Sequence, residues 1–153
     1  MDKFDVQILH ELQTDGRLSN RDLSERIALS PAPCWRRVRR LEEDGVILGY
    51  SAQISHRKVG LLVIAFAEVI LENHHPETIQ EFLDRVNSSS EILECHSVTG
   101  QCDYLLKIVA RDMESYESFL SSKMLVMRGI RSVNTLISLR QNKLTGTLPV
   151  TVP

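Results

Sequence analysis

The sequence predicts an α+β protein in two parts: three short helices first, then a sheet-forming half with the order βαββαβ. Three observations predict it. Apolar residues recur at helical spacing through the first fifty positions. From Leu61 onward, Val- and Ile-rich runs alternate with helical patterns. A polar stretch, Ser51 to Gly60, separates the two. The chain has 153 residues, a length suited to one domain or two small ones. The expected division is residues 1–50, a linker at 51–60, a second domain at 61–142 and a tail at 143–153.

Phe4, Ile8, Leu9 and Leu12 define the first helix, which Asp15-Gly16 stops. Ser19, three residues before Asp22, starts a second short helix in the manner of a capping box, with Leu23 and Ile27 as its buried pair. Ser30 is the N-cap of the third. Pro31 at its first position and Pro33 in its first turn are tolerated because those N–H groups have no helical partner. Gly45 ends it, and Val46 to Tyr50 reads as a short strand or small wing.

Projected at about 100° per residue, the third helix has two unlike sides. Cys34, Val38 and Leu41 share the core face; Ala32, Trp35, Arg36, Arg39 and Arg40 cover the opposite arc, with Arg37 at the boundary. A capped short helix, a tight turn and a basic third helix are the parts of a helix-turn-helix, whose recognition helix reaches base edges in the major groove. Arginine suits that work because its planar fork bonds guanine and phosphate bidentately. N–H groups at the Ser30 end add an expected phosphate contact. On this reading Arg36 carries site preference, while Arg40 holds all DNA alike.

Bulk composition neither supports nor opposes a nucleic-acid partner. The net charge is -2, so only a local concentration of arginine could supply one. The N-terminus carries acids early and lacks a basic n-region, so no signal peptide is expected. The longest apolar run, Leu61 to Ala67, ends at Glu68, too short for the roughly 20 residues a bilayer needs. Three cysteines, an odd number with no CxxC, fit a reducing cytoplasm. No Gly-rich phosphate loop, GxSxG nucleophile motif or metal-ligand spacing is present, so neither a cofactor nor an enzyme activity is expected.

In the second half, Leu61–Leu71 reads as a buried strand. Pro76 opens a helix carrying Ile79, Phe82, Leu83 and Val86. Glu91–Val98 and Tyr104–Ala110 are strand-like, joined by the turn Thr99 to Asp103. Asp112 caps a helix carrying Met113, Tyr116, Phe119, Leu120 and Met124, and Val133–Leu139 is the last strand. This is the ferredoxin-like split pattern. Its helices cover one face of the sheet, so the other is expected to pair with a second copy. A two-fold dimer would place two recognition helices on a pseudo-palindromic operator. In the turn, Gly100 allows close approach to backbone N–H groups that can hold a carboxylate, while Asp103 can hold an ammonium.

The run from Leu29 through Ser30-Pro31-Ala32-Pro33-Cys34-Trp35-Arg36-Arg37 to Tyr50 closely resembles the recognition helix and wing of the Lrp/AsnC, or feast/famine, family. Ser97 to Leu106 is similar to that family's effector-loop signature, and Lys143 to Pro149 to its usual ending. The resemblance implies a cytoplasmic, DNA-binding transcription regulator: a winged helix-turn-helix followed by an effector-binding and dimerisation domain. It implies duplex-DNA contacts from Ser30, Pro31, Ala32, Trp35, Arg36, Arg37, Arg39 and Arg40. It also implies an amino-acid-like effector bound between subunits by Thr99, Gly100, Gln101, Cys102 and Asp103, with Thr135 and Leu136 from the last strand. The family's Thr-x-Thr pair is here Val133-Asn134-Thr135, one hydroxyl short. Sirohaem decarboxylases resemble the same family in both halves, but an Arg-rich third helix serves no purpose in such an enzyme.

Overall fold

The computed structural model describes residues 1–152. The chain forms two compact units, residues 1–53 together with the segment from Lys143 onward, and Ile54–Asn142.

In the first unit, α1 (Lys3–Thr14), α2 (Asn20–Arg26) and α3 (Pro31–Glu43) pack around Ile8, Leu9, Leu23, Ile27, Cys34 and Leu41. The helices begin where short polar side chains can satisfy free N–H groups. Asp2 accepts from the Phe4 and Asp5 N–H groups, and the Asp5 carboxylate accepts from the Asp2 N–H at 2.9 Å, completing a capping box. Ser19 Oγ accepts from the Asp22 N–H at 3.1 Å. The turn between α2 and α3 passes through Ala28 at φ 54°, a left-handed conformation that costs a residue with a Cβ about 1–2 kcal/mol. Residues 46–50 form no strand, because the chain does not return to pair with them; instead the Val46 and Ile47 N–H groups both donate to the Leu41 carbonyl.

The end of the chain belongs to this unit. Val150 packs against the helical core. The Gln13 side-chain amide brackets Leu148, donating to its carbonyl at 3.3 Å and accepting from its N–H at 2.6 Å. His10 Nε2 donates to the Val150 carbonyl at 3.2 Å. Removing residues 147–153 should therefore lower the stability of this unit by about 1–2 kcal/mol, the worth of one partly buried Val and two or three hydrogen bonds. Urea melts followed by the fluorescence of Trp35, the chain's single tryptophan, would show it.

The second unit is a four-stranded antiparallel sheet in the order β2-β3-β1-β4, formed by β1 (Val63–Leu71), β2 (Ile92–Ser97), β3 (Tyr104–Ala110) and β4 (Ile130–Ile137). Helices α4 (Pro76–Ser88) and α5 (Met113–Phe119) lie on one face, and α5 continues into a wider turn at Leu120–Met124. This is the ferredoxin-like arrangement. Ala65, Ala67, Val69 and Leu71 of β1 alternate inward with Tyr104, Leu106, Ile108 and Ala110 of β3, against Phe82, Tyr116 and Phe119 of the helices. The last strand starts three residues before the predicted Val133. Ile130 to Ser132 pair with Leu71 and Ile70 although Arg131 and Ser132 are exposed, as edge-strand residues tolerate. Gly129 precedes it at φ 90°, where an added Cβ would lie 2.5 Å from Thr78 Cγ2, so only glycine fits that turn.

The opposite face of the sheet carries Ile64, Phe66, Ile70, Leu105 and Leu136, with Phe66 directly between Lys107 and Leu136 on the flanking strands. No helix of the described residues is long and apolar enough to cross a membrane.

Candidate functional site

The outer face of α3 is built as its helix wheel predicts for some residues and not for others. Trp35 is 53% exposed, and the Arg39 guanidinium lies 5.6 Å from its ring centroid, a stacked pair at the surface. Arg39 also approaches Glu43 at a loose 3.7 Å. Arg36 is exposed and has no hydrogen-bond or ion-pair partner among the described residues. Pro31 and Ala32 are exposed beside them.

Arg37 and Arg40, expected at DNA, are instead held on α1. Asp5 is buried to 1% exposure, and its carboxylate accepts from Arg37 Nη1 at 2.9 Å and from Arg40 Nη2 at 2.8 and 2.7 Å. Arg37 Nη1 also donates to Asp2 at 2.7 Å and lies over the Phe4 ring. The reason is charge balance. A carboxylate among Ile8 and Leu9 cannot stay buried without cationic partners, and α3 presents two across the helix interface. The Asp5 N–H first, then Arg37, hold the Asp2 carboxyl below its ordinary range, and the two aspartates raise the Arg37 pKa.

The phosphate contact expected at the Ser30 end is also narrower than predicted. Ser30 has N-cap backbone geometry, but its hydroxyl makes no capping bond. Pro31 and Pro33 lack N–H groups, so the N3 donor an N-cap hydroxyl normally accepts from does not exist. That hydroxyl and the Ala32 N–H are what the helix start can offer a ligand.

In the second unit, Thr99, Gly100 and Gln101 are exposed at the tip of the β2–β3 turn, with Cys102 and Asp103 half-buried behind them. Gly100 at φ 131° is in the region that favours glycine. Asp103 fastens the turn to β1. Its N–H donates to the Val69 carbonyl at 2.9 Å, and its carboxylate accepts from the Leu71 N–H at 2.8 Å. The other carboxylate oxygen lies 2.8 Å from Nε2 of exposed His74. The Leu71 N–H, then His74, lower the Asp103 pKa.

Thr135 and Leu136, expected to share the pocket with this loop, do not join it within one chain. Thr135 faces the helices, its hydroxyl 2.7 Å from the Tyr116 hydroxyl. Leu136 is 51% exposed on the opposite face. Consecutive strand residues point to opposite sides, so within one chain the two face different surroundings. Tyr104 and Val133 both pair with Val69, which places Thr135 two strands and several residues from the loop.

Four carboxylates of the second unit are shifted in the same direction. Asp103 and Asp112 are lowered mainly by backbone N–H groups, Glu91 by Lys123 and Glu94 by Lys107. A group whose folded pKa lies below its unfolded value contributes stability above the unfolded pKa and loses it as pH falls through the folded one. Melting temperature should therefore hold steady near neutrality and decline below about pH 4, where model carboxylates begin to protonate. Calorimetry across an acid series checks this.

Comparison with known proteins follows the same division. Residues 1–47 match the winged helix-turn-helix DNA-binding profile, and residues 64–148 match the Lrp/AsnC ligand binding domain. The leucine-responsive regulatory proteins of Escherichia coli K12 and Klebsiella pneumoniae are each 39% identical over 150 residues, covering 98% of this chain and 92% of theirs. A transcriptional regulator of Neisseria meningitidis, solved in complex with L-Met, superposes with a TM-score of 0.94 at 37% identity, covering 97% of this chain and 96% of that one. An AsnC family regulator of Agrobacterium tumefaciens gives 0.92 at 35% identity, covering 97% of each chain. With both halves matched and relatives of nearly the same extent, the chain belongs to the Lrp/AsnC family of DNA-binding transcription regulators.

Proposed function

We propose that the chain reads operator DNA with Trp35, Arg36 and Arg39, and that an apolar α-amino acid tunes that binding from the Thr99–Asp103 loop. One observation carries the first part: Arg36 projects from α3 with no hydrogen-bond or ion-pair partner among the described residues, beside the exposed Trp35–Arg39 stack. Ser30, Pro31 and Ala32 line the entry of that helix and set how closely its start approaches the phosphates. Arg37 and Arg40 act on DNA through the helix they hold.

The effector reading rests on the loop and on relatives. A regulator bound to L-Met and others named for leucine response share this domain. The exposed N–H groups around Gly100 suit a carboxylate. Asp103 has one oxygen shared only with exposed His74, which an ammonium could displace. Cys102 and Gln101 flank that point. Because Thr135 and Leu136 lie elsewhere in the chain, a second subunit must complete the pocket. The apolar sheet face around Phe66 and Leu136 supports a homodimer as the basic assembly. The free thiols Cys34, Cys95 and Cys102 support a reducing, cytoplasmic setting.

The test is an electrophoretic shift of the chain's own upstream region, with and without L-Leu and L-Met. Expected is a sequence-preferring complex that weakens steeply with salt and responds to at least one of the two. Binding that is indifferent to sequence and to salt would overturn the DNA reading. Intact DNA binding with no response to either amino acid would overturn the effector reading alone.

A further inference from the structure

We infer that His56, Arg57, Ser138 and Arg140 form a phosphate-binding pocket at the end of the sheet where β1 begins and β4 ends. A cavity of about 220 Å³ lies there, with Leu62 and Ile64 as its apolar wall and Gln141 at its rim. Three of its lining side chains are basic and none is acidic.

The arginines are the first reason. Arg57 and Arg140 have neither an ion pair nor a hydrogen bond among the described residues, yet they converge on one cavity. In a chain of net charge -2 this is a local arrangement, not a general cationic excess. Two guanidiniums facing one space repel each other until an anion lies between them.

The backbone that presents them is the second reason. Residues 55–60, part of the expected linker, and Leu61, expected to begin the first strand, are knitted into a turn. The Lys58 N–H donates to the Ser55 carbonyl at 3.0 Å and the Leu61 N–H to the His56 carbonyl at 2.8 Å. His56 Nδ1 lies 2.7 Å from the Leu61 carbonyl. A carbonyl only accepts, so Nδ1 carries the proton and Nε2 remains for a ligand. Across the cavity, the Ser138 N–H donates to the Ile64 carbonyl at 2.9 Å and extends the β1–β4 ladder to the pocket.

The chemistry selects the ligand class. Two planar forks and the Ser138 hydroxyl supply donors toward a tetrahedral oxyanion, His56 Nε2 joins them once the ring is protonated, and Arg binds phosphate bidentately. No carboxylate is present to receive an ammonium, so a zwitterionic amino acid is disfavoured. This separates the pocket from the Asp103 loop. The phosphate has two sources, a free phosphate group or the DNA backbone; the second rests on the DNA-binding reading above.

The experiment uses the full-length protein in phosphate-free buffer. Inorganic phosphate is titrated calorimetrically, and a mixed-sequence duplex is bound over a salt series. R57Q, R140Q and the double variant are compared with R128Q, an exposed arginine outside the pocket that equalises the charge change. Saturable phosphate binding, weakened at least tenfold by either pocket variant and untouched by R128Q, supports a free-phosphate ligand. No phosphate binding, with a salt slope that falls by about 0.9 per arginine removed, supports the DNA backbone as source. Phosphate titrations and salt slopes that match between wild type and double variant overturn the pocket, as does an equal effect of R128Q. A wild type that binds no DNA overturns the DNA reading, and the phosphate titration then decides the pocket alone. If the double glutamine variant does not fold, R57K/R140K retains charge without the fork and should still weaken phosphate.

Discussion

Asp5→Ala is expected to destabilise the N-terminal unit by about 2–4 kcal/mol, the lower part of the range for breaking a buried ion pair because Arg40 is half exposed and water compensates it in part. The loss has three sources. Arg37 and Arg40 lose their buried acceptor, the capping box of α1 loses its reciprocal bond to the Asp2 N–H, and a small void opens beside Ile8 and Leu9. For a unit of this size the shift is roughly 10–20 °C in melting temperature. Trp35 reports it selectively, since the chain has one tryptophan and it lies on α3. Asp5→Asn, which keeps hydrogen bonding without the charge, should fall between wild type and alanine. A D5A transition that coincides with wild type would show that the buried carboxylate is not what fixes α3 on α1.

Arg36→Ala should have the opposite profile. The side chain touches nothing that stabilises the fold, so melting should be unchanged within about 0.5 kcal/mol. Affinity for a specific operator should fall about 10- to 100-fold, the range of one bidentate base contact, with random duplex affected much less. Arg40→Ala, which the helix wheel alone ranks as a uniform phosphate contact, should instead lower the melting temperature and lose DNA affinity only as α3 loosens. Anisotropy titrations on specific and random duplexes, read beside the melts, separate the two. Equal losses on both duplexes from R36A, or an R40A variant that melts like wild type, would reverse the assignment.

The contrast between these two arginines shows where sequence reading stops. Both fall on the outward arc of α3, four residues apart. Their fates differ because of Asp5, thirty-five residues away from Arg40. A signal was present: Asp5 lies on the same stripe of α1 as Ile8, Leu9 and Leu12, where a charge has to find a partner. Which cations answer it depends on how α1 and α3 pack. His74 carries no signal in the sequence for a related reason, since a loop histidine gains meaning only when the β2–β3 turn is folded against it.

Local periodicity, capping residues and β-branched runs determined by themselves the five helices, the four strands and their order along the chain, because each depends on neighbours within a few positions. The exposed Trp35–Arg36 surface followed from the same periodicity. Tertiary structure alone decided that Arg37 and Arg40 bind Asp5, that Thr135 turns to Tyr116, that Val150 returns to the helical core, and that Arg57 and Arg140 line one cavity. Those contacts join residues distant along the chain, and side-chain charge or polarity names no partner until packing sets the distance.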